Sequence, residues 1–324
     1  MRREIYERVA SIGGGTGSFT MLSELKKVVS NLSAIVTMMD SGGSSRRLID
    51  EFGRPLPLGD LRQALVALSR SRKLWGDIFS YRFPESDNGS IGGHSLGNLI
   101  LHALLDLNDD DLIGALDDAE EILNTAGHVI PVTQDEAMLC AELNNGTIIE
   151  GESAIDIPGD RPVLPIDHVF LKPGACATPR ARKALERADK VLIGPGDLYT
   201  SIIPCLLVNG IDEAIRSCDG EIIYICNVMT KHGETDDFSA SDYVREIHKY
   251  LGRRVDTVIV NTGTFPPPLL ERYANEKAFP VNPDVDVLRT LVPRLLTGPV
   301  ATTERFIRHD AERVILTIWP DLVA

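Results

Sequence analysis

Three glycine-rich turns in this chain are built of residues that could hold an anion. The first, Gly13-Gly14-Gly15-Thr16-Gly17-Ser18, directly follows the apolar run 9–12 and leads into a helical pattern around Met21, Leu22 and Leu25. Glycines let backbone N–H groups approach phosphate oxygens with no Cβ in the way, and the N-terminus of the following helix adds partial positive charge. The second turn, Gly92-Gly93-His94-Ser95-Leu96-Gly97-Asn98, again opens an apolar helix and places His94 and Asn98 at its start. The third, Gly194-Pro195-Gly196-Asp197-Leu198-Tyr199-Thr200-Ser201, follows the apolar run 191–193. A tight strand-to-helix turn that serves packing alone is the plain alternative for the first, and a structural histidine is the alternative for His94. The first turn is not a P-loop, because no Gly-Lys-Ser/Thr ending follows, and Ser18 stands where the dinucleotide fingerprint has its third glycine.

Two polar segments accompany these turns. Asp40-Ser41-Gly42-Gly43-Ser44-Ser45-Arg46-Arg47 ends the second expected strand, where Ser and Gly supply donors and an arginine can fork onto a phosphate. Asp40 also sits where a dinucleotide fold places its ribose-binding carboxylate, which keeps an NAD-linked oxidoreductase open. Gly59-Asp60-Leu61-Arg62 places Asp60 as an N-cap ahead of a helix through Leu68, so capping competes with catalysis as its role. Asp60, Asp197 and His94 are the candidates for a catalytic group.

The elements that must position these residues are β-rich runs at 9–12, 34–39, 191–193, 222–226 and 257–260, alternating with helical patterns. That alternation predicts an α/β chain with a Rossmann-like, doubly wound, mostly parallel sheet, because nearly continuous apolar strands are expected where helices cover both faces. Residues 61–125 carry helical spacing, clearest at 96–107 and 112–123. Short strands are expected over 129–157, with Asn144-Asn145-Gly146 as a hairpin turn. We therefore expect one Rossmann-like domain over 1–324 with an inserted helical/β subdomain at about 61–160. In an open sheet of this kind the ligand crevice lies beyond the carboxyl ends of the strands, so the Gly13–Ser18 turn and the Asp40 loop should face one crevice.

Composition narrows the function classes. A net charge of −14, from 33 Lys and Arg against 47 Asp and Glu, disfavours nucleic acid as a partner. The longest uncharged apolar stretch, 198–211, is broken by Pro204 and falls short of the roughly 20 residues that span a bilayer, so no membrane insertion is expected. The first nine residues alternate charged and apolar types, unlike a signal peptide, and a cytoplasmic location follows. Five widely spaced cysteines with no C-x-x-C pair indicate neither a disulfide framework nor a zinc site.

Taken together and in order, Gly13–Gly17, Asp40–Ser45, Gly59–Arg62, Gly93–Asn98 and Gly194–Ser201 make the chain resemble the 2-phospho-L-lactate transferase (CofD)-like family, most closely its YvcK-type gluconeogenesis-factor branch. The motifs cover nearly the whole chain. The resemblance implies a Rossmann-like three-layer fold that binds a nucleotide sugar such as UDP-N-acetylglucosamine, with a regulatory role in cell shape and envelope synthesis during gluconeogenic growth. It also implies an alternative, the transfer of a phospholactyl group from a nucleotide-activated donor. Carried over with it are the glycine loop, the Asp40 loop, Asp60, His94, Asn98, Asp197, Tyr199, Tyr273 by the base or sugar, and Arg308 on phosphate. A protein partner and a homo-oligomer fit a regulatory role, and no cofactor is assigned beyond the nucleotide ligand. In the branch pattern two adjacent acidic residues precede Gly-Gly-Ser-Ser and a glycine precedes Arg-Leu, but here Ser41 and Arg46 occupy those places. One carboxylate that could hold a divalent cation is therefore missing, no metal is assigned, and binding is favoured over catalysis.

Overall fold

A computed structural model of the chain describes residues 4–39, 57–71, 73–84 and 92–323. In chain order its strands are β1 (Ile5–Gly13), β2 (Val29–Val36), β3 (His128–Pro131), β4 (Met138–Leu143), β5 (Ile148–Glu150), β6 (Ile166–Lys172), β7 (Lys190–Ile193), β8 (Glu221–Ile225), β9 (Thr257–Asn261), β10 (Arg294–Gly298), β11 (Ala301–Thr302) and β12 (Arg308–His309). Seven of them form one wholly parallel sheet in the order β10-β9-β8-β7-β1-β2-β3. Every residue of β9 and the last five of β1 are buried, as expected of strands covered by helices on both faces.

From β1 the sheet grows through β2 and β3 to one edge. The chain then returns to β7 on the other side of β1 and grows through β8, β9 and β10 to the opposite edge. The direction of winding reverses between β1 and β7, which is where an open α/β sheet leaves a crevice beyond its strand ends. The doubly wound expectation is borne out, and the reversal falls between the strands that carry the first and third glycine turns.

The helices Leu96–Leu107 and Leu112–Leu123 form over the spans that their apolar spacing predicts, capped by Ser95 and Asp111, whose side chains accept from the N–H groups of Asn98 and Ile113. They pack with Leu58–Leu68, which lies against β2 and β3. Of the short strands expected after residue 129, β3 joins the central sheet beside β2, while β4 and β5 pair with β6 in a separate antiparallel sheet. The Asn145-Gly146 turn closes the β4–β5 hairpin as expected, with Gly146 at φ +81° and the Asn145 side chain accepting from Thr147 N–H. Among the described residues no helix is long and apolar enough to cross a membrane.

Candidate functional site

The first and third glycine turns touch each other across the β1–β7 boundary. A Cβ on Gly196 would lie 3.2 Å from the carbonyl oxygen of Gly14, and one on Gly17 would lie 3.4 Å from that of Pro195. Gly15 has φ +71°, which only glycine adopts without cost, and this lets the chain leave β1 and start the helix Gly15–Leu25 at once. Gly14 caps that helix with no side-chain acceptor, so its first-turn N–H groups keep their capacity to donate to an anion. Thr16 is exposed at this end, whereas Ser18 is buried with its hydroxyl near Gly13. The Asn227 side chain at the end of β8 donates to the Gly196 carbonyl at 2.9 Å and fixes the third turn in place.

Asp60 reaches the first turn from below. The helix that carries it begins at Leu58, one turn earlier than the N-cap expectation requires, so Asp60 lies in the first turn of Leu58–Leu68 and Pro57 takes the N-cap position. Pro57 and Leu58 already have the geometry to open the helix. The carboxylate is mostly buried against Gly14, where a Cβ would fall 2.5 Å from Oδ2. Two residues on, Arg62 donates through Nε to Asn98 Oδ1 at 2.9 Å and through Nη1 to the Phe79 carbonyl at 3.2 Å. Burial and the neighbouring Arg82 lower the Arg62 pKa, and the charge of Asp60 opposes them. Asn98 is thereby joined to the Asp60 helix. His94 is buried, and its carbonyl accepts from Phe83 N–H at 2.9 Å.

The third turn continues into a short π-helical segment, Leu198–Ile202, in which Ile202 N–H bonds back to the Asp197 carbonyl. Such segments recur at functional sites. Tyr199 points into the core and is 1% exposed, so its ring offers nothing to a crevice ligand in this conformation. Its N–H donates to Glu234 Oε2, and the Thr200 hydroxyl donates to Glu234 Oε1, both at 3.2 Å. Ser201 lies beside the first turn, its hydroxyl 3.4 Å from where a Gly15 Cβ would be. Asp197 is bound by Lys231 Nζ at 2.6 Å, and Lys231 also reaches Asp156 and, at 3.1 Å, Glu234. Burial pushes the Glu234 carboxyl above the usual carboxylate range, with Lys231 opposing. The carboxylate oxygens of Asp156, Asp197 and Glu234 all lie within 4.8 Å of one another, an oxygen set of the kind that hard divalent cations take. Yet the Lys231 ammonium already stands among them, so in this chain these residues do not fit a resident divalent ion.

At the far side of the crevice the β11–β12 hairpin lies over the end of β8, with His309 Nε2 donating to the Cys226 carbonyl at 2.9 Å. Tyr273, on the helix Pro267–Asn275, packs into a small apolar cluster with Val228, Ala301 and Ile307. Its hydroxyl is engaged by the backbone of Ile307. Arg308 is exposed and stacks on Phe306, its Cζ 4.8 Å from the ring centre, with Arg272 at 4.7 Å and Arg305 at 5.8 Å around the same ring. Three guanidinium groups thus gather next to the hairpin. The loop Asp40-Ser41-Gly42-Gly43-Ser44-Ser45 lies outside the described residues.

A concavity of about 1000 Å³ also opens at the opposite, amino ends of β1, β2 and β3. Among its charged lining residues Arg180 pairs with Asp117 and His128 with Glu120, and none of the three glycine-rich turns lines it. The convergent donors lie at the carboxyl ends.

The model of the family described as 2-phospho-L-lactate transferase CofD matches residues 9–300. The chain belongs to the CofD family. Among its relatives, the gluconeogenesis factor of Bacillus subtilis is 38% identical over 310 residues, 95% of each chain. That of Halalkalibacterium halodurans is 40% identical over 311 residues, 95% of this chain and 94% of the relative. A crystal structure of a Bacillus halodurans protein superposes with a TM-score of 0.89 at 37% identity, covering 99% of this chain and all of the other. Every CofD-family motif seen in the sequence and lying within the described residues is found at a turn or helix start. Asn227, Lys231, Glu234 and Asp156 were not singled out by sequence, since they come from separate segments with no spacing of their own. The run Asn227-Val-Met-Thr-Lys231 following an apolar strand was the only available signal.

Proposed function

We propose that this protein is a regulatory binder of a nucleotide sugar of the UDP-N-acetylglucosamine type, acting on cell shape and envelope synthesis during growth on gluconeogenic carbon sources. The observation that carries the reading is the contact between the Gly13–Ser18 and Gly194–Ser201 turns at the β1–β7 reversal, next to an uncapped helix N-terminus. A diphosphate there would meet backbone donors, and the arginines around Phe306 could hold its outer oxygens. The gluconeogenesis-factor names of the relatives support the physiological setting. A regulatory output then requires a protein partner or a shape change that the ligand biases. The test is a melting series with UDP-N-acetylglucosamine, GTP and NAD. The UDP sugar should raise the melting temperature most, because saturation at a hundredfold excess over Kd stabilises by about 2.7 kcal/mol. A shift with NAD and none with UDP sugars would make a dinucleotide site the better reading.

The match to the CofD model favours a second reading, transfer of a phosphoryl-linked group. In that reading Asp60, mostly buried beside Gly14 at the first turn, is the carboxylate that would orient an acceptor hydroxyl. Release of nucleoside monophosphate from a nucleotide-activated donor, followed by phosphorus NMR, would establish that activity.

A further inference from the structure

The cluster around Lys231 joins three separate parts of the chain. Asp156 ends the helix Glu152–Asp156 beside the small antiparallel sheet, Asp197 belongs to the third glycine turn, and Glu234 follows β8. Glu234 is oriented by two donors, Tyr199 N–H and the Thr200 hydroxyl, in the way that outer partners orient metal-binding carboxylates. Lys231 is itself held, its backbone N–H donating to Thr235 Oγ1 at 3.0 Å. A cation is therefore seated among three converging carboxylates, and it is covalently part of the protein. One ammonium serves three acidic side chains here, an oxygen set that would also suit a doubly charged ion.

We propose that Lys231 is a tethered cation standing in a divalent-cation position, so that its charge substitutes for a metal ion beside the third glycine turn and its removal creates a metal site. The ammonium neutralises Asp197 next to the turn, which keeps that end of the crevice from repelling an anion, and it ties Asp156 to the crevice wall. An ammonium offers three donors to three acceptors here, whereas Mg²⁺ or Mn²⁺ would bind the same oxygens directly. This assignment does not depend on which nucleotide the crevice takes.

The experiment is a titration of the full chain with MnCl₂, followed by loss of the free Mn²⁺ resonance in electron paramagnetic spectra. The parent and Lys231→Arg should show no tight site. Lys231→Met should bind one Mn²⁺ at least about tenfold more tightly than the parent, and the double variant K231M/D197N should lose that gain. Removing the ammonium leaves the buried Glu234 without its cation and lowers stability, so melts of Lys231→Met with and without MnCl₂ are the second measurement. A melting temperature restored by Mn²⁺ supports the proposal. A variant that stays depressed at high Mn²⁺, a folded Lys231→Met that binds no better than the parent, or a parent whose own tight Mn²⁺ binding disappears in D197N would overturn it.

Discussion

The Tyr273 hydroxyl lies between the two backbone groups of Ile307, accepting from its N–H at 3.1 Å and donating to its carbonyl at 3.3 Å. A phenol thus does for the entry into β12 what a neighbouring strand would do. Tyr273→Phe keeps the ring and removes both bonds, at a cost of about 1–2 kcal/mol to the hairpin. We expect it to weaken UDP-N-acetylglucosamine binding nearly as much as Tyr273→Ala, read as the ligand-induced melting shift. Parent-like binding by the Phe variant would mean that the ring face alone serves the ligand.

Arg308→Ala should weaken ligand binding by roughly 1.5–3 kcal/mol, on the order of ten- to a hundredfold, through loss of a charge-assisted hydrogen bond. Lys at this position should recover little, since the stacking on Phe306 and the two-pronged donation belong to guanidinium. Calorimetric affinities of the parent and both variants check this, and unchanged affinity in Arg308→Ala would remove the hairpin from the site.

Gly14→Ala should cost on the order of 1–3 kcal/mol of stability, because its Cβ would meet Asp60 Oδ2 at 2.5 Å and Thr37 Cγ2 at 2.6 Å. Gly15→Val combines backbone strain at φ +71° with blocked access and should lose ligand. Gly17→Val is the cleaner probe of binding, having a conformation open to side chains and, as nearest neighbour to an added Cβ, the Pro195 carbonyl oxygen at 3.4 Å. A folded Gly17→Val with full affinity would count against the loop as the phosphate site.

Ligand binding should be insensitive to EDTA and unchanged by added magnesium, since Lys231 already supplies positive charge at Asp197. An affinity that collapses on chelation and returns with metal would promote the transferase reading.

Burial pushes the His309 imidazole down to about 4. The unfolded ring takes a proton near pH 6.5 and the folded one resists until about 4, so this contribution is complete above pH 6.5 and is lost as pH falls through that window. His309 as a residue is half-buried, and the loss between pH 7 and pH 4 is on the order of 1–2 kcal/mol. Urea melts of His309→Gln over this range should show a flatter dependence than the parent; equal slopes would assign the acid sensitivity elsewhere.

Much of the architecture was legible because its signals are local. An apolar run ending in glycines marks a strand that turns into a helix, and Leu96–Leu107 follows from apolar spacing plus a serine cap. What escaped depends on contacts between distant residues. Nothing in 128–131 says that this strand pairs with β2 rather than with β4, and nothing around Asp197 announces Lys231. Tyr199 shares a turn with the half-buried Gly196, Asp197 and Ser201 yet its ring faces the core, in the π-helical segment that follows the turn. Asp60 was misplaced by the few residues over which helix starts are hardest to fix.

The two walls of the crevice belong to strands that lie side by side but are far apart along the chain, Ile12 pairing with Ile193. Until β7 is available, β1 presents an unpaired apolar edge, and the half-sheet β1-β2-β3 can form with only one of the two turns. On the proposed reading, the site is complete only once β7 has joined β1. A nascent or misassembled chain would hold the Gly13–Ser18 loop without the surface that completes it, so occupancy of the crevice also reports that the two halves of the sheet have joined.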